Sequence, residues 1–271
     1  MGDTKSRIIS FYRDFAMKTG FTARTTFSLY NYMFDPQQLC FLIDCLQETE
    51  TVKGCCVEAG CAWGYTTAFL RKWMDARGIK KDYIALDTFS GFLASDTEHE
   101  IKYRSKPERL NNLFSTNKKT WFDYSLKLAN VTSVNSIQTD VAQFDFDKLG
   151  PISFCLLDVD LYLPIKKCLP NIYRNLSPGG IIIVDDCKHE NIWDGAMQAY
   201  QEFMAGIGAP QRIECGKLGV IIKTREPAQD LAPAARGSSL EPPAGPHTIP
   251  PVERQQRQHI QSIMVNYSLT R

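Results

Sequence analysis

Two apolar runs end in carboxylates: Phe154-Cys155-Leu156-Leu157-Asp158-Val159-Asp160 and Ile181-Ile182-Ile183-Val184-Asp185-Asp186. Continuously apolar runs of this length read as strands covered on both faces, and as sheet neighbours their backbones would lie roughly 4.8 Å apart. Asp158, Asp185 and Asp186 would then converge at the strand ends. Like charges that close are unfavourable unless protonated or neutralised by a cation, and an all-oxygen set favours Mg²⁺ over Ca²⁺, Mn²⁺ or Zn²⁺. Asp158, Asp185 and Asp186 are the expected metal ligands. Strand alternation sends Asp160 the same way, and it is expected to stand behind Asp158. The alternative reading of these acids is as caps of the loops that follow.

A second cluster lies earlier. Val57-Glu58-Ala59-Gly60-Cys61-Ala62-Trp63-Gly64 runs into a helix at Tyr65-Thr66-Thr67. Glycine there lets a ligand approach the backbone, and the helix start supplies free N–H groups. The spacing is GxxxG, whereas a pyrophosphate-binding dinucleotide turn wants GxGxxG, which weakens a nicotinamide reading. The next strand ends at Asp87-Thr88, and a carboxylate roughly 20 to 30 residues past a glycine turn can accept bonds from both ribose hydroxyls. Glu58, Ala59, Gly60, Gly64, Thr66, Asp87 and Thr88 therefore form a candidate nucleoside site. Asp140, after the third β run, could meet an adenine amino group or cap its own loop.

The elements that must position these residues alternate. Ile8, Tyr12, Phe15 and Ala16 share one helical face, and a second helix follows Asp35-Pro36 with Leu39, Leu42, Ile43 and Leu46 on its face. Strand-like runs recur at 55–58, 83–87, 136–139, 152–158 and 181–185, with helices expected at 66–76, 107–114, 163–176 and 194–204. Pro170 falls inside the third of these helices. Residues 211–215 and 218–224 read as a hairpin turning at Gly216-Lys217. The expected fold is α/β: N-terminal helices, then a doubly wound, mostly parallel sheet of seven strands ending in an antiparallel hairpin.

Composition bounds the rest. Of 271 residues, 31 are Lys or Arg and 30 Asp or Glu, a net charge of +1, so nucleic acid is not the expected partner. No stretch approaches the roughly 20 apolar residues that span a bilayer, and the N-terminus shows no apolar signal region. The nine cysteines lack paired zinc spacing, and a reducing cytoplasm is the expected compartment. Pro227 to Pro251 holds seven of the 14 prolines, so 226–271 is expected to be a disordered tail after a folded 51–225 domain and a 1–50 helical segment. That first segment, around Thr25, Thr26 and Tyr30, is a candidate lid.

The chain resembles the class I S-adenosylmethionine-dependent methyltransferases, and within them the metal-dependent macrocin (macrolide-sugar) O-methyltransferases. The resemblance spans roughly residues 50 to 225. It rests on the glycine turn, on Leu86-Asp87-Thr88-Phe89-Ser90-Gly91, and above all on Leu157-Asp158-Val159-Asp160-Leu161-Tyr162 followed by Leu176-Ser177-Pro178-Gly179-Gly180 and the Ile181 to Asp186 run. It implies a Rossmann-like methyltransferase fold with two cofactors, S-adenosyl-L-methionine and Mg²⁺. Residues matching Asp158, Asp185 and Asp186 bind the metal in that family, and those matching Glu58, Gly60 and Asp87 contact the methyl donor. The family usually has Glu-Ser-Thr where this chain has Leu163-Pro164-Ile165, and Tyr where it has Cys187.

Methyl transfer from a sulfonium is an in-line displacement, so the protein must align an oxygen nucleophile and help it lose a proton. Asp158 is the expected proton acceptor and His189, just past the metal strand, the alternative. The acceptor implied is a small hydroxylated molecule, a sugar or a glycosylated natural product, although a catechol-like diol satisfies the same chemistry. A homo-oligomer is compatible with all of this. An NAD-dependent oxidoreductase accounts only for the sheet and Asp87, and a non-catalytic nucleoside-binding protein has no need of converging carboxylates.

Overall fold

The computed structural model describes residues 2–22, 33–189 and 192–224. The residues named for the lid, Thr25, Thr26 and Tyr30, lie outside the described residues, as does the 226–271 tail.

Chain order is α1 (Gly2–Thr19), α2 (Pro36–Glu48), β1 (Cys55–Ala59), α3 (Tyr65–Ala76), β2 (Tyr83–Asp87), α4 (Ala94–Arg104), α5 (Lys119–Leu128), β3 (Asn135–Gln138), β4 (Ile152–Leu157), α6 (Tyr162–Asn175), β5 (Leu176–Val184), α7 (Asp194–Gly206), β6 (Ile213–Glu214) and β7 (Leu218–Ile222). The strands form one seven-stranded sheet in the order β3-β2-β1-β4-β5-β7-β6. β1 to β5 are parallel, and β7 runs antiparallel to both β5 and β6. Strand order therefore reverses between β1 and β4, where parallel sheets open a crevice beyond their carboxyl ends.

β1 and β4 are buried along their whole length, and the two faces sort by alternation. Val57, Ala59, Cys155, Leu157, Ile182 and Val184 pack under α6 and α7 with Ile165, Leu169, Ala196 and Tyr200. Cys56, Phe154, Leu156, Ile181 and Ile183 point the other way, against Leu39, Leu42 and Leu46 of α2 and Leu70 and Met74 of α3. α2 starts where expected, with Asp35 and Gln38 forming a reciprocal capping box and Pro36 in the first turn. Pro170 does not interrupt α6. It sits on the exposed side, where the carbonyl left without an N–H partner can meet water.

Two expectations fail. The segment 107–114 holds only a short 3₁₀ turn at Glu108–Asn112. α4 and α5 lie where no helix is expected. α4 is hidden from periodicity because its inward residues Asp96, Thr97 and Glu100 are polar; Glu100 accepts the Tyr162 N–H at 2.8 Å and pairs with Arg104 at 2.8 Å. The apolar face of α1 is mostly open as well: Ala16 is buried against Trp121, but Ile8 and Tyr12 are 63% and 45% exposed. Polar groups dock this helix instead. Arg13 lies 3.9 Å over the Trp63 ring, and Asp14 accepts from Trp121 Nε1 at 2.7 Å.

Candidate active site

A cavity of about 320 Å³ opens beyond the carboxyl ends of β1, β2, β4 and β5. The two clusters read from the sequence meet there. Gly60, Asp87, Thr88, Asp140, Asp158, Asp160, Asp185 and Asp186 all line it. Glu58, Ala59, Gly64, Thr66 and His189 do not.

The donor side is held by its own backbone. Asp87 Oδ2 accepts the N–H groups of Cys61 (2.9 Å) and Ala62 (2.8 Å), and Oδ1 accepts that of Phe89 (2.7 Å). One carboxylate thus ties the glycine turn to the loop after β2 and bends Ala62 into the left-handed region at φ 42°. The Asn117 side chain donates to the Ala62 carbonyl at 3.2 Å. Thr88 Oγ1 donates to the Gly91 carbonyl at 2.6 Å, and Asp140 Oδ1 accepts the Ala142 N–H at 2.9 Å, so Asp140 caps its loop while also facing the cavity.

The two glycines have reasons of their own. A Cβ on Gly60 (φ 85°) would lie 1.8 Å from the Asp158 carbonyl oxygen, so close approach of the β4 end demands glycine whatever the ligand. A Cβ on Gly64 (φ 79°) would strike the Phe122 ring at 2.8 Å, and Gly64 serves as the N-cap of α3. A side chain at Gly60 would therefore break the fold before it obstructed a ligand. Glu58 lies beneath this side, 1% exposed, and accepts from Tyr83 Oη at 2.7 Å. Burial pushes its carboxyl up to about 7 against that hydrogen bond.

The acid side is built by register. β4 pairs with β5 at Leu157↔Val184, the Asp158 N–H reaches the Ala59 carbonyl at 2.8 Å, and the Asp185 N–H reaches that of Leu157 at 2.9 Å. The ladder runs one residue past each strand and delivers Asp158 and Asp185 side by side. Asp160 and Asp186 follow at φ 60° and 57°, a left-handed backbone costing on the order of 1 kcal/mol for a residue with a Cβ. Both Asp158 and Asp160 keep part of their surface open to the cavity, yet burial and the neighbouring carboxylates, Asp185 foremost for Asp158 and Asp186 for Asp160, hold them well above the usual carboxylate range. Asp185 is pushed up to about 6 by burial, against the pull of Lys217.

Lys217 is the residue that sequence reading missed. Its Nζ stands 2.7 Å from Asp185 Oδ2 and 3.4 Å from Asp186 Oδ1. Burial opposes its charge, but the Asp185 and Asp186 carboxylates outweigh burial and hold it above the ordinary lysine range. The hairpin explains its position: β7 pairs antiparallel with β5 at Val184↔Gly219, so the residue before β7 returns to the acids after β5, and the Cys187 N–H binds the Lys217 carbonyl at 2.7 Å. Only that pairing could have signalled it. Lys188 also lines the cavity, 3.9 Å from Asp186, whereas its neighbour His189 is exposed.

The donor chemistry of these acids suits a hard cation, and Asp185 Oδ1 is buried with no hydrogen-bond partner, an oxygen that a cation would satisfy. Among the described residues, however, no three acidic side chains stand together as one ligand set. The remaining wall is aromatic: Phe92 meets Phe114 edge-on at 5.5 Å and Trp193 at 6.0 Å.

Comparison with known proteins agrees with this geometry. The macrocin-O-methyltransferase (TylF) family matches residues 21–215. The solved O-methyltransferase NovP superposes with a TM-score of 0.57 at 18% identity, over 72% of this chain and 82% of its own. CalS11, a calicheamicin methyltransferase, gives 0.57 at 16% identity, over 80% of this chain and 91% of its own. No curated protein matches at a significant level. With its doubly wound sheet and the family match over most of its length, the chain belongs to the macrocin-O-methyltransferase family and is an O-methyltransferase.

Proposed function

We propose that this enzyme moves the methyl group of S-adenosylmethionine to a hydroxyl of a sugar or glycosylated natural product, with Mg²⁺ in the acid cluster. The observation that carries the reading is that one cavity joins the Asp87-braced glycine turn to four aspartates, Asp158, Asp160, Asp185 and Asp186. Gly60, Ala62, Asp87, Thr88 and Asp140 would hold the donor. Asp158, Asp185 and Asp186 would hold the cation, which when bound makes an acceptor hydroxyl more acidic. Asp158 is the candidate proton acceptor, because it lines the same cavity as the acids that would hold the cation and so lies within reach of an acceptor hydroxyl bound there. Phe92, Phe114 and Trp193 offer the acceptor an apolar face and exclude water beside the reacting oxygen. Residues 51–225 carry the catalysis, and the 1–50 segment braces the donor side through Arg13. That all nine cysteines are free supports a reducing compartment such as the cytoplasm. Among the described residues, no helix is long and apolar enough to cross a membrane.

Incubation with methyl-labelled S-adenosylmethionine and a panel of glycosides tests the reading. Label should reach acceptor hydroxyls only with Mg²⁺, and Asp185→Asn or Asp186→Asn should lower turnover at least 100-fold, about 2.7 kcal/mol, with donor affinity nearly intact. Full activity in EDTA overturns the metal assignment. Tight binding of NAD without binding of S-adenosylmethionine overturns the whole.

A further inference from the structure

We infer that Lys217 is the resident countercharge of the acid cluster and competes with Mg²⁺ for it, so that the cation binds only as the ammonium leaves Asp185. The inference rests on the Mg²⁺ reading above and adds to it a residue that sets how tightly the metal is held.

Several observations converge on this side chain. Its Nζ lies 2.7 Å from Asp185 Oδ2 and 3.4 Å from Asp186 Oδ1, so one ammonium bonds two of the three expected ligands. The side chain is 13% exposed, and its Nζ sits 4.6 Å from the centre of the Phe34 ring, on whose face a cation is favoured. The backbone is tied by the Cys187 N–H to the Lys217 carbonyl. The stem is therefore anchored while the head is carried on a flexible four-carbon chain. Asp185 is divided between its two oxygens: Oδ2 is taken by Lys217, and Oδ1 is buried and unpartnered.

A divalent ion beside Asp185 and Asp186 would meet the ammonium at a separation of a few ångströms. Two like charges that close in a partly desolvated cavity repel strongly, while the same carboxylates cannot give their full charge to both. The stem can swing Nζ away, but the hydrogen bonds to Asp185 and Asp186 must then break. Removing the ammonium removes that cost, and it also leaves crowded carboxylates with a stronger demand for a cation. Both effects act in the same direction on metal affinity.

Calorimetric titration of MgCl₂ into the full chain, without donor or acceptor, reads this directly. Lys217→Met, which keeps the apolar stem and loses the charge, should bind Mg²⁺ at least tenfold more tightly than wild type, and Lys217→Arg should bind no more tightly than wild type. Equal or weaker binding by Lys217→Met, with wild type binding normally, overturns the competition and leaves the metal reading standing. No Mg²⁺ binding by any of the three proteins overturns both. Should Lys217→Met fail to fold, lysine-selective NMR of the wild type decides, with the Lys217 side-chain resonance identified by its loss in Lys217→Arg. It should shift on saturation with Mg²⁺, and a resonance that stays in place at saturation overturns the proposal.

Discussion

The two sides of the cavity handle carboxylates in opposite ways. On the donor side Asp87 spends its oxygens on three backbone N–H groups, and the loops it ties are locked before any ligand arrives. On the acid side Asp158, Asp160, Asp185 and Asp186 crowd one another, two of them on left-handed backbone, with Lys217 as a partial remedy and one oxygen of Asp185 left unpartnered. A satisfied carboxylate stiffens a platform. Unsatisfied ones store electrostatic free energy that a cation or a proton can release, and in doing so they do chemistry. The contrast predicts that substitutions on the two sides differ in sign as well as size.

The largest effect is expected where the sides touch. Gly60→Val would drive a Cβ into the Asp158 carbonyl oxygen at 1.8 Å, a backbone clash that no rotamer relieves. Denaturant unfolding should show a loss of at least ~3 kcal/mol, or no folded protein at all. A variant with near-native stability would mean that the β1 and β4 ends separate easily, and the joint between the two sides would be looser than described.

Next in size is a pH effect from Glu58, buried beneath the donor side. Its carboxyl is pushed by burial to about 7, against an ordinary value of 4.5. The folded state therefore holds a proton that the unfolded state has lost between those values. The stabilisation is fully present below about pH 4.5 and is lost as pH rises through 7, on the order of 3 kcal/mol in all. Glu58→Gln should flatten this part of the profile, so its stability relative to wild type improves from pH 5 to pH 8. Parallel profiles for the two proteins would show that Glu58 is charged in the fold.

The signs separate with one matched pair. Asp87→Asn gives up charged hydrogen bonds from backbone N–H groups and should cost about 1.5 kcal/mol of stability, together with donor affinity. Asp160→Asn relieves a carboxylate that burial and Asp186 already disfavour, so it should gain about 1 kcal/mol at pH 8 while slowing turnover. Thermal melts of the two variants measure both. Destabilisation by both would erase the distinction between a braced side and a strained one.

The sequence made this contrast half legible. Carboxylates ending apolar runs are visible without a structure because burial on both faces forces the runs to be apolar until the chain leaves the sheet; Asp87, Asp158, Asp185 and Asp186 are therefore all found at strand ends. What they bind to is not visible. Two of the three partners of Asp87 are backbone groups of a turn some 25 residues away, and any sequence supplies N–H groups. Lys217 reaches Asp185 across 32 positions through an antiparallel pairing that local pattern does not encode. α4 hides for a related reason, since its buried face is made of Asp96, Thr97 and Glu100, and periodicity detects only apolar faces. Composition and spacing thus reveal where charge is placed, whereas register decides whether it is satisfied.

The smallest expected effect tests how far the bracing of the donor side extends. Trp63 belongs to the glycine turn between Gly60 and Gly64, and the Arg13 guanidinium of α1 lies 3.9 Å from its ring centre and 5.3 Å from that of Trp121. Such a stack contributes about 0.5–1 kcal/mol at a partly exposed site. Arg13→Ala should therefore weaken S-adenosylmethionine binding by two- to fivefold through a looser Trp63, and Arg13→Lys, which keeps the charge but loses the planar stack, should recover only part of it. Mg²⁺ affinity should not change, because no acid of the far side touches Trp63 or α1 among the described contacts. Calorimetry with donor and with MgCl₂ separates these outcomes. Equal losses for both ligands would mean that α1 steadies the whole cavity, and unchanged donor binding would confine the bracing to Asp87.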